Sequence, residues 1–167
     1  INTGGVFMSR LIRKTDTFLL EWKNKTDRLP LIVKGARQIG KTEAISHFAR
    51  GNYKSVIEIN FVLQKQFKDI FDDGFDVDTI IKNISLKNPE FEFPVGETLF
   101  FFDEIQDCIN CATSLKAFKT DGRFDVICSA ITHSHAVHRG HRRLQFCQFS
   151  SKIFYHGCPL FLRAKIQ

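Results

Sequence analysis

The chain has 167 residues, of which 43% are hydrophobic and 25% are charged. At this length we expect one domain that can bury a core without disulfides or a structural metal. This composition excludes disordered, collagen-like and disulfide-framework proteins. The longest apolar run, residues 99–102, is far shorter than the ~20 residues that a membrane helix needs, so no membrane partner is expected.

The charge is unevenly distributed along the chain. The net charge is +6, and all 18 Asp and Glu lie at or before Asp125. Residues 1–129 carry 18 of the 24 Lys and Arg, whereas residues 130–167 carry the other six, no acid and five of the six His. The five cysteines show no framework spacing and no signal peptide opens the chain, which favours reduced thiols and a cytoplasmic location.

The position of the single Met and the distribution of charge divide the chain into three segments. Residues 1–7 precede the single Met, Met8, and are set aside as a leader, either upstream sequence read in frame or the end of a fragment cut from a longer chain. Residues 8–129 form the expected core with an N-terminal helix. Residues 130–167 form an atypical basic tail.

Short apolar segments alternate with helical patterns along the core. Helices are predicted from Ser9 and over residues 41–50, 67–71, 76–83 and 112–120, with Asp76 as an N-cap. Gly51 and Asn52 signal the end of the second helix. Strands are predicted over residues 31–33, 55–61, 98–102 and 124–129. This alternation is typical of an α/β fold with a mostly parallel sheet and crossover helices.

Between the first strand and the second helix stands a glycine-flanked loop. It matches the pattern G-x-x-x-x-G-K-[ST], whose backbone N–H groups surround phosphate at a helix N-terminus. With the next residue, the predicted nucleotide-binding residues are Gly35, Ala36, Arg37, Gln38, Ile39, Gly40, Lys41, Thr42 and Glu43. Lys41 supplies a charge for the β- and γ-phosphates, and the Thr42 hydroxyl is a predicted Mg²⁺ ligand.

Two acids follow the third strand directly. Asp103 and Glu104 would stand at the carboxyl edge of a parallel sheet, where open α/β sheets bind their ligands. Asp103 is predicted to hold Mg²⁺ and Glu104 to act as general base on the attacking water. A ligand with β- and γ-phosphates is therefore expected here together with Mg²⁺.

These motifs resemble a family, the prokaryotic AAA-type P-loop ATPases whose phosphate loop reads G-x-R-Q-x-G-K-T. The resemblance rests on Trp22-Lys23, on residues 30–42, on Ile59-Asn60-Phe61, on residues 101–106 and on residues 113–116. It implies a three-layer P-loop NTPase core, ATP binding and Mg²⁺-dependent hydrolysis. It also implies that the strand over 124–129 lies between the loop strand and the acid strand and ends in a polar sensor, for which Ser129 is the candidate.

The resemblance stops at the composition change. Members usually continue Gly-Ser, then a helical lid and a C-terminal nuclease-like domain, but this chain reads Ala130-Ile131. We expect residues 130–167 to come from a shifted frame or a truncated gene, leaving the core incomplete at its C-terminus without the family's fifth strand and lid. ATP binding could then survive without turnover, so a hydrolysis-deficient remnant is the alternative function.

A third hypothesis is a zinc-stabilised nucleic-acid-binding module. Cys108 and Cys111 form a lone C-x-x-C, to which the tail's His and Cys could add ligands, and its basic residues could contact phosphate backbones. The spacing is not that of a zinc finger, and basic runs alone are weak evidence. The sequence indicates neither an arginine finger nor a protein partner nor the extent of self-association.

Overall fold

The protein is described by a computed structural model over residues 14–131, 145–148 and 162–164. The first helix is seen from Lys14, so the predicted start at Ser9 and the leader 1–7 lie outside the described residues. Through residue 131 the elements are α1 (Lys14–Lys23), β1 (Leu31–Gly35), α2 (Lys41–Asn52), β2 (Ser55–Asn60), α3 (Val77–Lys87), β3 (Thr98–Asp103), α4 (Ile109–Asp121) and β4 (Asp125–Ile131), with 3-10 helices at Lys65–Phe71 and Ile105–Asp107.

One sheet organises these elements, in the order β2-β3-β4-β1-β5-β6. Strands β2, β3, β4 and β1 are mutually parallel, so β4 separates the loop strand β1 from the acid strand β3, as the resemblance implied. Parallel strands bring their carboxyl ends to one edge, and this edge carries both the loop and the two acids.

Beyond Ser129 the chain adds two antiparallel strands to the sheet. Strand β5 (Gln145–Gln148) pairs antiparallel with β1, and β6 (Leu162–Ala164) pairs antiparallel with β5. The outer edge of β1 is therefore covered by an antiparallel strand from residues 130–167, the segment that was expected to leave the core without the family's fifth strand. An unpaired edge strand exposes backbone donors and acceptors, and this pairing satisfies those of β1.

Helices cover both faces of the parallel strands, which gives the three-layer α/β architecture expected. Alternate side chains of each strand point to opposite faces, so every central strand supplies two cores. One core, against α1 and α2, contains Leu19, Trp22, Leu31, Val33, Ile45, Phe48, Leu99, Phe101 and Ile127. The other, against α3 and α4, contains Ile32, Ile57, Ile59, Ile80, Ile84, Phe100, Phe102, Leu115, Phe118, Val126 and Cys128.

Several element boundaries differ from prediction by a few residues. Helix α2 continues through Gly51 and Asn52, because the backbone N–H of Tyr53 still donates to the Ala49 carbonyl. The side-chain Nδ2 of Asn52 also donates to the Phe48 carbonyl. Helix α4 begins at Ile109. The predicted N-cap of α3 is confirmed, since Asp76 accepts from the N–H of Thr79 at 2.8 Å.

A polar cluster fixes the opposite, amino edge of the sheet. At the start of β4, Asp125 accepts from Arg28 Nε at 2.5 Å and from the Tyr53 hydroxyl at 2.7 Å. Burial and the neighbouring carboxylate raise the pKa of Tyr53, which keeps its hydroxyl as the donor. This cluster joins the end of α2 to β4, on the side of the sheet away from the phosphate loop.

No helix within residues 14–131 has the length and apolar character needed to cross a lipid bilayer.

Phe100 of β3 lies at the centre of a cluster of phenylalanine rings. Phe100 is fully buried, and its ring centroid lies 5.0–5.9 Å from those of Phe93, Phe102, Phe118 and Phe124. Phe100→Ala is expected to lower the free energy of unfolding by about 3–5 kcal/mol, because it removes this contact and leaves a cavity. Urea denaturation measures the loss. The matched control is Leu86→Ala on exposed α3 surface, and equal losses for both variants would contradict the packing described.

Candidate functional site

The phosphate loop begins inside the sheet and ends in the first turn of α2. Gly35 is the last residue of β1, and Gly40 stands before α2 with φ 80° and ψ 27°. Glycine adopts this left-handed conformation without the strain that a side chain would add. Because Gly40 has no side chain, it cannot cap the first N–H groups of α2, and those donors remain directed toward the loop.

Lys41 folds back across this loop. Its side chain is 5% exposed, and its ammonium donates to the carbonyls of Gly35 at 3.1 Å and Ala36 at 3.0 Å. The positive charge is therefore held within the loop. Of the other predicted nucleotide-binding residues, Ala36, Arg37, Gln38 and Glu43 are exposed, whereas Ile39, Gly40 and Thr42 are half-buried.

Asp103 lies across from the loop at the end of β3. It is 2% exposed, and the Thr42 hydroxyl contacts its two carboxylate oxygens at 3.1 and 3.2 Å. The first turn of α2 and the end of β3 therefore meet, although Thr42 and Asp103 are far apart in sequence. The structure brings together the two residues that the sequence assigned to Mg²⁺.

Two further side chains hold the same carboxylate. Asn60 Nδ2 donates to Asp103 Oδ2 at 2.7 Å, and the Ser129 hydroxyl donates to Asp103 Oδ1. Sequence reasoning singled out Ser129 but missed Asn60. The sequence held one indication of Asn60, which is a polar residue near the end of a predicted strand. The structure adds that Asn60 pairs in register with Asp103.

Ser129 also connects the two acids. While its hydroxyl donates to Asp103, its oxygen accepts from the backbone N–H of Glu104 at 3.0 Å. Ser129 is fully buried, so one hydroxyl from β4 sets both the carboxylate of Asp103 and the backbone of the next residue. Strand β4 continues beyond Ser129 to Ile131, and the role of Ser129 as a sensor stays a prediction.

Glu104 leaves the strand in an unusual conformation. Its φ of 58° and ψ of 51° are left-handed, which turns the chain sharply into the 3-10 helix Ile105–Asp107. The half-buried side chain accepts a hydrogen bond from Gln106 Nε2 at 2.6 Å. The carboxylate is thus accessible at the same edge as the phosphate loop.

The donor set suits a hard divalent cation. Mg²⁺ prefers oxygen ligands and is usually held by one or two carboxylates together with substrate phosphates. Thr42 and Asp103 supply a hydroxyl and a buried carboxylate, and the three side chains bonded to Asp103 are neutral, so they leave its charge uncompensated. Within residues 14–131 there is no cluster of three or more His, Cys, Asp or Glu that could hold a metal by itself.

The C-x-x-C pair occupies a different environment. Cys108 and Cys111 are buried free thiols in the core against α3 and α4, and the Cys128 thiol is a neighbour of Cys111. Burial raises the pKa of the Cys108 and Cys111 thiols, whereas zinc requires thiolates. The histidines that the zinc hypothesis invoked lie outside the described residues, as do the basic residues of the nucleic-acid hypothesis apart from Arg163.

A model of the family described as "AAA domain" matches residues 27–145, which is more than half of the chain. The chain belongs to this family. The match identifies an AAA-type P-loop ATPase domain, and it continues past the composition change at Ser129.

A solved structure is also similar to this AAA domain. The structure of C. elegans PCH-2 has 14% sequence identity and a TM-score of 0.41. The similarity covers 73% of this chain and 36% of that chain, so the AAA domain spans little more than a third of its length. A search of curated proteins found no match.

The bridging role of Ser129 in the AAA domain can be tested through stability. Ser129→Ala is expected to lower the free energy of unfolding by about 1–3 kcal/mol, because the Glu104 N–H and one oxygen of Asp103 lose a buried partner. Chemical denaturation gives the value. Thr113→Ala, at an exposed hydroxyl on α4, serves as the control. If Ser129→Ala were no more destabilising than this control, the bridge would not hold the two acids.

Proposed function

We propose that this AAA domain binds ATP with Mg²⁺ and hydrolyses its γ-phosphate. The observation that carries the proposal is the contact between Thr42 and Asp103, which places the phosphate loop beside the buried carboxylate at 3.1–3.2 Å. A loop that surrounds phosphates and an acid that binds metal act on one nucleotide only when they are neighbours.

Each residue of the loop has a defined task in binding. The uncapped N–H groups at the start of α2 and the Lys41 ammonium attract the β- and γ-phosphates. Lys41 exchanges its carbonyl partners, Gly35 and Ala36, for phosphate oxygens. Thr42 and Asp103 would hold Mg²⁺, which when bound neutralises charge on the β- and γ-phosphates.

Glu104 carries the hydrolytic step. Its carboxylate orients a water molecule toward the γ-phosphorus and accepts a proton from it as the water attacks. The bond between the γ-phosphorus and the β,γ-bridging oxygen breaks in this step, and ADP leaves with the bonding electrons. Ser129 holds the backbone of Glu104 at 3.0 Å and so keeps this base next to Asp103. Most of the rate enhancement then comes from positioning and electrostatics, as is typical of phosphoryl transfer.

A nucleotide-binding domain without turnover is the second candidate. It is favoured by the antiparallel β5 on the outer edge of β1, because this strand comes from the segment in which the family's fifth strand was expected to be missing. Such a domain would retain the loop and Asp103 and would bind ATP, but Glu104 would have no measurable effect on phosphate release. We further propose a cytoplasmic location, because Cys108, Cys111 and Cys128 are free thiols.

Nucleotide binding is tested by removing the loop cation. At an ATP concentration of about 100 Kd, the wild-type chain should gain about 2.7 kcal/mol of stability, seen as a rise in Tm with MgATP. Lys41→Ala should lose this gain, because it removes the ammonium that lies within the loop. The control is Lys82→Ala, at an exposed lysine on α3. An undiminished rise in Tm for Lys41→Ala would contradict the binding site.

Hydrolysis is tested at the proposed base. Glu104→Gln should lower kcat about 100- to 10,000-fold, because the amide cannot accept the proton. The Kd for ATP should stay the same. Phosphate release and a binding titration provide the two values, with Glu90→Gln at an exposed acid as the control. Equal kcat for Glu104→Gln and wild type would favour the binding-only candidate.

A further inference from the structure

Gln106 is a residue of the site edge to which the proposed mechanism gives no task. It lies in the 3-10 helix Ile105–Asp107 directly after the acids, and it is exposed. Its Nε2 donates to Glu104 Oε2 at 2.6 Å and to Asp107 Oδ2 at 3.2 Å. Its Oε1 accepts from the backbone N–H of Ile131 at 3.3 Å. The side-chain amide of Gln106 therefore donates to carboxylates through its nitrogen and accepts from a backbone N–H through its oxygen.

The far end of this bridge reaches the phosphate-loop strand. Ile131 is the last residue of β4, and it pairs in parallel register with Gly35, the residue at which the loop begins. Gln106 thus connects the carboxylate of Glu104, through β4, to the start of the loop. The bond to Glu104 stays within the segment after β3, and the bond to Ile131 crosses to the neighbouring strand β4.

The carboxylate of Glu104 needs such a connection. Its backbone is held by Ser129, but a glutamate side chain has several rotatable bonds beyond the backbone, and fixing a reacting group in one geometry supplies much of a catalytic rate. A hydrogen bond from a neutral amide to a carboxylate is directional and charge-assisted. At 2.6 Å, the Gln106 contact is short and suited to this task.

We propose that Gln106 is a positioning residue that sets the Glu104 carboxylate relative to β4 and the phosphate loop. This inference rests on the proposed function, since it assigns Glu104 the role of base. Glutamine suits the position because its amide combines one donor group for the carboxylate with one acceptor for the Ile131 N–H.

Two substitutions separate the two bonds. Gln106→Leu removes both the donor and the acceptor. Gln106→Glu keeps an acceptor for Ile131 but places a second negative charge beside Glu104. Gln66→Leu makes the same chemical change at an exposed glutamine in the 3-10 helix Lys65–Phe71 and is the control.

The variants are compared in the full chain, in the wild-type and the Glu104→Gln backgrounds. With Glu104 present, Gln106→Leu and Gln106→Glu should each lower single-turnover hydrolysis about tenfold, the effect of one charge-assisted hydrogen bond. KM and the Kd for a fluorescent ATP analogue should stay within about twofold, because the described partners of the amide, Glu104, Asp107 and Ile131, lie outside the phosphate loop. In the Glu104→Gln background, neither substitution should lower the rate further.

Hydrogen exchange at the Ile131 amide tests the other bond without any turnover. Exchange should accelerate in Gln106→Leu and stay slow in Gln106→Glu and in Gln66→Leu. Unchanged exchange in Gln106→Leu, an unchanged rate with Glu104 present, or the same fall in both backgrounds would overturn the positioning role. A wild-type chain that binds ATP but shows no turnover sensitive to Glu104 would instead overturn the proposed hydrolysis, and the inference with it.

Discussion

The charge of Asp103 is the constraint on which the edge of the sheet depends. A carboxylate that is 2% exposed has lost most of its water, and this loss costs several kcal/mol unless hydrogen bonds replace it. The replacements come from three different elements, with Thr42 in α2, Asn60 at the end of β2 and Ser129 in β4. Folding therefore cannot satisfy Asp103 without also aligning the ends of the parallel strands and the start of α2.

Backbone strain is found in the phosphate loop and directly after Asp103. Gln38 and Glu104 are the non-glycine residues with positive φ in the described part of the chain, at 60° and 58°. Such conformations cost of order 1–3 kcal/mol each and persist only where surrounding contacts enforce them. The Ser129 hydroxyl and the Gln106 amide supply these contacts for Glu104. The strain turns Glu104 out of β3 toward the edge that the phosphate loop occupies.

Much of this arrangement could be predicted from the sequence. A continuous apolar run before Asp103 indicates a strand buried on both faces, and glycine spacing before Lys41 indicates a phosphate loop, because both are local patterns. Asn60 and Gln106 could not be found in this way, since their partners are set by strand register and by a left-handed turn. The position of β5 could not be predicted for a similar reason. Its pairing with β1 depends on β1 having unpaired backbone groups at the edge of the parallel strands, which is a property of the folded sheet.

The central claim is that the loop and the buried acid hold one metal–nucleotide complex between them. Calorimetric titration of the full chain with ATP, in the presence of Mg²⁺ and after chelation, tests this claim most directly. We predict that Mg²⁺ tightens binding in the wild type, and that Thr42→Val and Asp103→Asn each remove this increment while binding without metal persists. An increment of the same size in both variants would contradict the account.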